Sequence, residues 1–313
     1  MDGIWLELGP LRLLNKGSRV DINPFSWHNV ANLLFIDQPV GTGFAYTKSK
    51  KNGYARNDKM VNEQFYQFLQ SFFKLYPRYI NMNDSNSRGE KKKEYASTRS
   101  LFISDESHAG HYISTMSLYI LNMNKDIVDN HNNRGIDGLY YISLEGIALG
   151  NPWIDPYSQY DTSDFAHGLG LISVGQKNRM KELEKTCQRS LLNGNMNTPV
   201  CYSLLDKIIE TSTVSGNHKV LMYDSRQYVR DTSVFPPGHE DVEKYLNRAD
   251  VKAAIHTTAC PHAFMECSNP PYYALIHQDG KGIAIIIIMM MMIMMMMIMI
   301  IDDDDGDDDN DYC

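Results

Sequence analysis

The stretch Leu101-Phe102-Ile103-Ser104-Asp105-Glu106-Ser107-His108-Ala109-Gly110-His111-Tyr112 decides how this chain is read. A short apolar run stops at an acid pair, a serine follows, and small residues lead into a helical pattern. A strand, a tight turn and a helix in that order lift the Ser107 hydroxyl above the edge of a parallel sheet, the geometry of a nucleophile elbow. Asp105 and Ala109 stand where the G-x-S-x-G rule has glycines. A serine ahead of a helix is also a common N-cap, so this segment alone leaves both readings open.

Three further segments narrow the choice. Asn32 to Tyr46 reads NLLFIDQPVGTGFAY, Gly146 to Pro156 reads GIALGNPWIDP, and Glu7 to Pro10 reads ELGP. Together with Glu106-Ser107-His108-Ala109-Gly110-His111-Tyr112 they resemble, in order, the motifs of the serine carboxypeptidase family, the group of carboxypeptidase Y and lysosomal protective protein. The resemblance covers about residues 1 to 280. It implies an α/β fold of α/β-hydrolase type: a mostly parallel sheet with helices on both faces and an inserted cap region.

The hydrophobic pattern agrees with alternating strands and helices. Asn32 to Asp37, Leu101 to Ser104 and Gly146 to Leu149 read as buried strands, adjacent or nearly so and parallel, with Ser107 at the turn after the second. Trp5 to Leu14 reads as extended. Asp58 is the expected N-cap of a helix carrying Val61, Phe65, Phe68, Leu69, Phe72, Phe73 and Tyr76 at helical spacing, which Pro77 ends. That aromatic stripe reads as core packing. The nucleophile helix runs to about Leu121, and the polar segment Asn81 to Thr98 reads as a solvated loop. The expected organisation is a hydrolase core over 1–174 lacking its N-terminal part, a cap insertion over 175–236, a return to the core over 237–282, and a low-complexity tract over 283–313.

Composition excludes little. The net charge of −8 comes from the eight aspartates between Asp302 and Asp311, and without them it is zero. No basic patch suggests nucleic acid. Cys187, Cys201, Cys260 and Cys267 fall in two close pairs, disulfide candidates in an oxidising compartment or else free buried thiols; their spacing does not match a zinc site, and no metal or organic cofactor is expected. Asn83-Asp84-Ser85 is a glycosylation sequon. No signal peptide is seen. In the family a strand and a Gly-Gly-Pro-Gly segment precede the Glu-x-Gly-Pro motif, so the chain reads as N-terminally incomplete. Ile283 to Ile301 is almost pure Ile and Met, and nineteen residues at about 1.5 Å each would reach about 28 Å, enough to cross a bilayer. Met and Asp runs are two frames of one trinucleotide repeat, so repeat DNA is the preferred reading and a membrane span the lesser one.

By resemblance, Ser107 is the nucleophile, and the backbone N–H of His108 is one oxyanion donor. Glu7 and Glu106 bind a substrate's C-terminal carboxylate. Close carboxyls do not both ionise cheaply, so one keeps its proton and donates it, which favours acid pH. The carboxyl of Asp105 adds bulk and charge beside Glu106. The triad acid falls at Asp309, from the letters Gly306-Asp307-Asp308-Asp309, with Ile283 to Ile288 as the strand before it. The family's histidine follows its acid, and no histidine follows His277, so the base is not present in this order. His239 precedes any acceptable acid, and the His108 side chain would point away from the serine Oγ. The implied reaction is release of C-terminal amino acids from peptides through a Ser107 acyl-enzyme, with the chain as written close to inactive. A non-catalytic peptide-binding paralogue and an esterase or acyltransferase on the same scaffold are the alternatives. The resemblance also implies peptide or protein C-termini as partners, and a lysosomal, vacuolar or secretory setting.

Overall fold

The computed structural model describes residues 3–49, 53–81, 96–130, 138–195, 198–230, 238–265 and 294–301. A hairpin of β1 (Leu11–Leu14) and β2 (Arg19–Ile22) opens the chain, followed by β3 (Asn32–Gln38) and α1 (Asp58–Leu75). The two-residue strands β4 (Ile80–Asn81) and β5 (Ser97–Thr98) pair, and then β6 (Ser100–Glu106), α2 (Ala109–Asn130) and β7 (Leu144–Gly150) follow. Four helices come next, α3 (Pro156–Gln159), α4 (Ser163–Gly168), α5 (Val174–Leu192) and α6 (Pro199–Thr211). A hairpin of β8 (Lys219–Leu221) and β9 (Asp224–Val229), helices α7 (His239–Leu246) and α8 (Ala249–Ala254), and strand β10 (Met294–Ile301) complete the described elements.

The central sheet has the order β3-β10-β6-β7. β6 and β7 pair in parallel, with Ile103 opposite Ile147 and Glu106 opposite Gly150. β10 is antiparallel to both β3 and β6, so those two strands run the same way with one strand between them. The three strands expected from apolar runs are therefore all present and co-directional, and β10 makes the described sheet mixed. The low-complexity tract supplies a central strand, and among the described residues no helix is long and apolar enough to cross a membrane. The segment 283–288, expected as a strand, lies outside the described residues.

Alternation along the strands sorts side chains onto two faces. Ile36, Leu101, Ile103, Ile298 and Ile300 face one core with Phe65, Leu69, Phe73, Ile113, Met116 and Ile120 of α1 and α2. Each such side chain is worth about 1.5–3 kcal/mol when fully buried. The long core helices thus share one face. On the other, Phe35, Ser104 and Met297 meet residues of the first segment and Trp27 around a cavity.

Local chemistry corrects several expectations. The N-cap of α1 is Asn57, whose side chain accepts the Met60 N–H at 3.0 Å. Asp58, one residue on, is the first helical residue and is free to pair elsewhere. The helix stops at Leu75 because Pro77 disfavours helical backbone at Tyr76. Trp5 to Leu14 is not extended throughout. Gly3–Glu7 forms a wide helical turn closed by the Leu8 and Gly9 N–H groups on the Gly3 carbonyl, at 3.0 and 2.8 Å. α2 continues to Asn130, beyond the expected Leu121. Ser97 and Thr98, expected in a solvated loop, are buried as β5, while 82–95, with the sequon, lie outside the described residues.

A second cluster holds Ala166, Ile172, Met180, Cys187, Leu191, Cys201, Leu204 and Ile208. Cys187 and Cys201 form a disulfide joining α5 to α6, which selects the first of the two thiol readings for that pair. Cys260 is buried, and Cys267 lies outside the described residues. A third cluster packs Trp5 and Leu13 against Val242, Leu246, Val251 and Phe264, tying the first segment to α7 and α8.

Candidate active site

Ser107 sits at the turn between β6 and α2 with φ +58°, the left-handed region that non-glycine residues rarely adopt. Such strain persists only where the surroundings fix it, and it is the backbone signature of a nucleophile elbow. Here the surroundings are the end of β7. The Ser107 N–H donates to the Gly150 carbonyl at 2.9 Å, and the Trp153 N–H donates to the Ser107 carbonyl at 2.7 Å. The Ser107 carbonyl also accepts the Gly110 N–H at 3.1 Å as the helix begins. Gly110 allows the close approach: a Cβ there would lie 2.5 Å from the Pro152 Cβ. This is why Ala109 and Gly110 serve in a turn whose strict glycine pattern is broken.

The end of β6 opens on a cavity of about 350 Å³ lined by Glu7, Asp105, Glu106, Leu8, Trp27, Phe35, Leu149 and Met297, among others. Glu7 and Glu106, expected together, share this cavity, and Asp105 is the third carboxyl in it. One Asp105 oxygen accepts the Glu106 N–H at 2.8 Å, and the other is buried without a hydrogen-bond partner. Burial, reinforced by the charges of Glu106 and Glu7, holds the Asp105 carboxyl well above the usual range. Burial thus disfavours a charge on the residue that breaks the glycine pattern.

His108 is half-buried, its ring packed edge-on against Tyr112 with centroids 4.9 Å apart and 6.3 Å from the ring of His111. Burial first, and then the neighbouring His111, pushes its pKa down to about 3, so the imidazole is neutral. Its Nδ1 has no hydrogen-bond partner. His111 was not anticipated as a site residue. Its Nε2 lies 3.1 Å from both Asp58 oxygens, joining the first turns of α1 and α2 beside Ser107. Nothing in a single sequence signals a pair separated by 53 residues.

At the end of β3, Asp37 is buried, and one of its oxygens accepts the Phe44 N–H at 2.8 Å. Burial raises its pKa. Gly43, at φ +53°, packs directly on that carboxyl and leaves no room for a Cβ. His239 is the first residue of α7, after Gly238. Asp309 and His277 lie outside the described residues. Among the described residues no group of three or more His, Cys, Asp or Glu could hold a metal ion.

The serine carboxypeptidase (peptidase S10) family model matches residues 1–305. The chain is 37% identical over 288 residues to serine carboxypeptidase S10 family member 2 of Dictyostelium discoideum, covering 89% of this chain and 46% of that protein. It is 34% identical over 284 residues to the pheromone-processing carboxypeptidase KEX1 of Phytophthora infestans, covering 90% of this chain and 44% of that one. Among solved structures, the prohormone-processing carboxypeptidase Kex1Δp of Saccharomyces cerevisiae superposes with a TM-score of 0.68 at 26% identity, over 88% of this chain and 56% of that one. The chain spans about half the length of the curated relatives it matches.

Proposed function

The chain belongs to the serine carboxypeptidase family, and from that membership we propose that its site binds the free C-terminus of a peptide and presents it to Ser107. The observation that carries the reading is the strained Ser107 backbone next in the chain to Glu106, which lines a cavity together with Glu7. In the reaction the serine Oγ attacks the last peptide carbonyl. The C–N bond breaks, the released amino acid leaves with a proton, and water then cleaves the Ser107 ester. The His108 N–H is one donor to the oxyanion. Glu7 and Glu106 hold the substrate carboxylate, one of them carrying a proton. The raised Asp105 pKa disfavours an added negative charge beside the two glutamates. The disulfide between Cys187 and Cys201 supports an oxidising, secretory-type setting.

The test compares binding and hydrolysis of an N-blocked dipeptide and its C-terminal amide, at acid and neutral pH, by the chain and by its Ser107→Ala variant. Binding of the acid over the amide, weakened by Glu106→Gln, is expected. Equal binding of acid and amide would remove the carboxylate site. Turnover that survives in Ser107→Ala would remove Ser107 from the role of nucleophile.

A further inference from the structure

The loop from β7 to α3 touches Ser107, and a side chain from the far end of α3 reaches back to hold it. Asn151 enters the loop with φ +40°, a left-handed conformation that asparagine tolerates better than most residues. Pro152 has no N–H to give. The Trp153 N–H donates to the Ser107 carbonyl at 2.7 Å. The next two N–H groups, of Ile154 and Asp155, both donate to the Gln159 Oε1, at 2.8 Å each. The Gln159 Nε2 donates to the Pro152 carbonyl. One side-chain amide thus closes the backbone before and after Trp153. Two donors on one of its atoms and a carbonyl on the other settle which atom is oxygen.

Gln159 is itself tied down. Its N–H donates to the Asp155 carbonyl at 2.9 Å. Asp155 caps α3 by accepting the Tyr157 N–H at 3.2 Å and the Ser158 hydroxyl at 2.6 Å. From α5, the Gln188 Nε2 donates to the Tyr157 carbonyl at 3.2 Å. Loop and helix therefore form one hydrogen-bonded unit. Pro152 sets that unit against the first turn of α2, so close that a Cβ on Gly110 would lie 2.5 Å from the proline Cβ. Gln159 is exposed, so each of its bonds competes with water, and the hold comes from three acting together.

We propose that Gln159 is a positioning residue for Ser107. By fixing residues 152–155 it keeps the Trp153 N–H on the Ser107 carbonyl, and so helps to maintain the serine in a left-handed turn that persists only where its neighbours over-determine it. Its bearing on the reaction rests on the reading of Ser107 as nucleophile; its mechanics do not. The role asks for an amide. A carboxylate at 159 accepts the two N–H groups but turns lone pairs toward the Pro152 carbonyl, whereas a protonated carboxyl restores the missing donor.

The test measures amide hydrogen exchange by NMR in residues 1–313 and in the variants Gln159→Ala and Gln159→Glu, each corrected for the intrinsic rate at its pH. In Gln159→Ala the Trp153 and Ser107 amides should exchange at least about tenfold faster, while Ile120 to Met123 in the middle of α2 stay within about twofold. In Gln159→Glu the same two amides should be fast at pH 7 and return to within about threefold of the unsubstituted chain below about pH 4, where the new carboxyl is protonated. Gln159→Ala should show no such recovery. Faster exchange confined to Ile154 and Asp155 would make Gln159 a local clasp of the loop and overturn the proposal. A rise spread evenly along α2 would also overturn it, as general destabilisation. Should Gln159→Ala not fold, Gln159→Glu decides: exchange at Trp153 and Ser107 that matches the unsubstituted chain at both pH values overturns the proposal. Exchange needs no turnover, so failure here leaves the carboxypeptidase reading standing, and failure of the peptide-binding test leaves this one.

Discussion

β6 and β10 lie side by side and feed the same core, the first through Leu101 and Ile103, the second through Ile298 and Ile300. They are stabilised alike and specified differently. β6 carries an irregularity at Leu101/Phe102, a carboxyl at Asp105 and a left-handed serine at its end, and each fits one place only. β10 carries the same two side-chain types throughout. Burial holds a strand in a sheet, but only variety along the strand says which residue goes where. Ser107, the proposed nucleophile, is built on the strand that has variety.

The largest test of this contrast is a truncation in β6. Ile103→Ala should cost about 2–5 kcal/mol, since a cavity opens that the fixed strand cannot refill. Urea unfolding measures it, and a loss below about 1 kcal/mol would mean that β6 shifts to fill it. Next comes Asp105→Asn. Burial raises the Asp105 pKa in the folded protein. As pH climbs past the unfolded carboxylate value of about 3.9, the unfolded chain gives up its proton first and stability falls. The amide has no proton to lose. It should therefore gain about 1–3 kcal/mol at pH 7, the order of an unsatisfied buried polar group, with the gain vanishing below about pH 4. A gain that does not change with pH would point to packing instead. Ile298→Ala should cost less than Ile103→Ala, about 2 kcal/mol, because flexible methionine neighbours in the tract can fill part of the gap. A loss equal to that of Ile103→Ala would erase the difference between the strands. The smallest effect, about 0.3 kcal/mol, belongs to Ile298→Met, which reproduces the composition of the tract.

The same contrast explains what could be read beforehand. β3, β6 and β7 were legible because each is a short apolar run bounded by turn residues, and Ser107 because it closes the second of them. The position of β10 was not legible, since a uniform run fits any apolar slot of the right length. The Asp58–His111 pair was missed because its partners meet only after α1 and α2 pack together. Choosing Asp58 over Asn57 as the cap was an error of one residue between two side chains that cap equally well. The fate of the Asp105 carboxyl depended on burial, which sequence does not report at a strand's end.

The left-handed backbone at Ser107 bears on how a variant without its hydroxyl should be made. Alanine removes the hydroxyl but keeps the Cβ that this backbone resists, so Ser107→Ala leaves the elbow under the same tension as the original. Glycine removes both. Ser107→Gly should therefore melt at higher temperature than Ser107→Ala, by the equivalent of about 1–2 kcal/mol, the cost of a left-handed side chain. A laboratory choosing between the two chooses between a faithful replica of the turn and a sturdier, relaxed one.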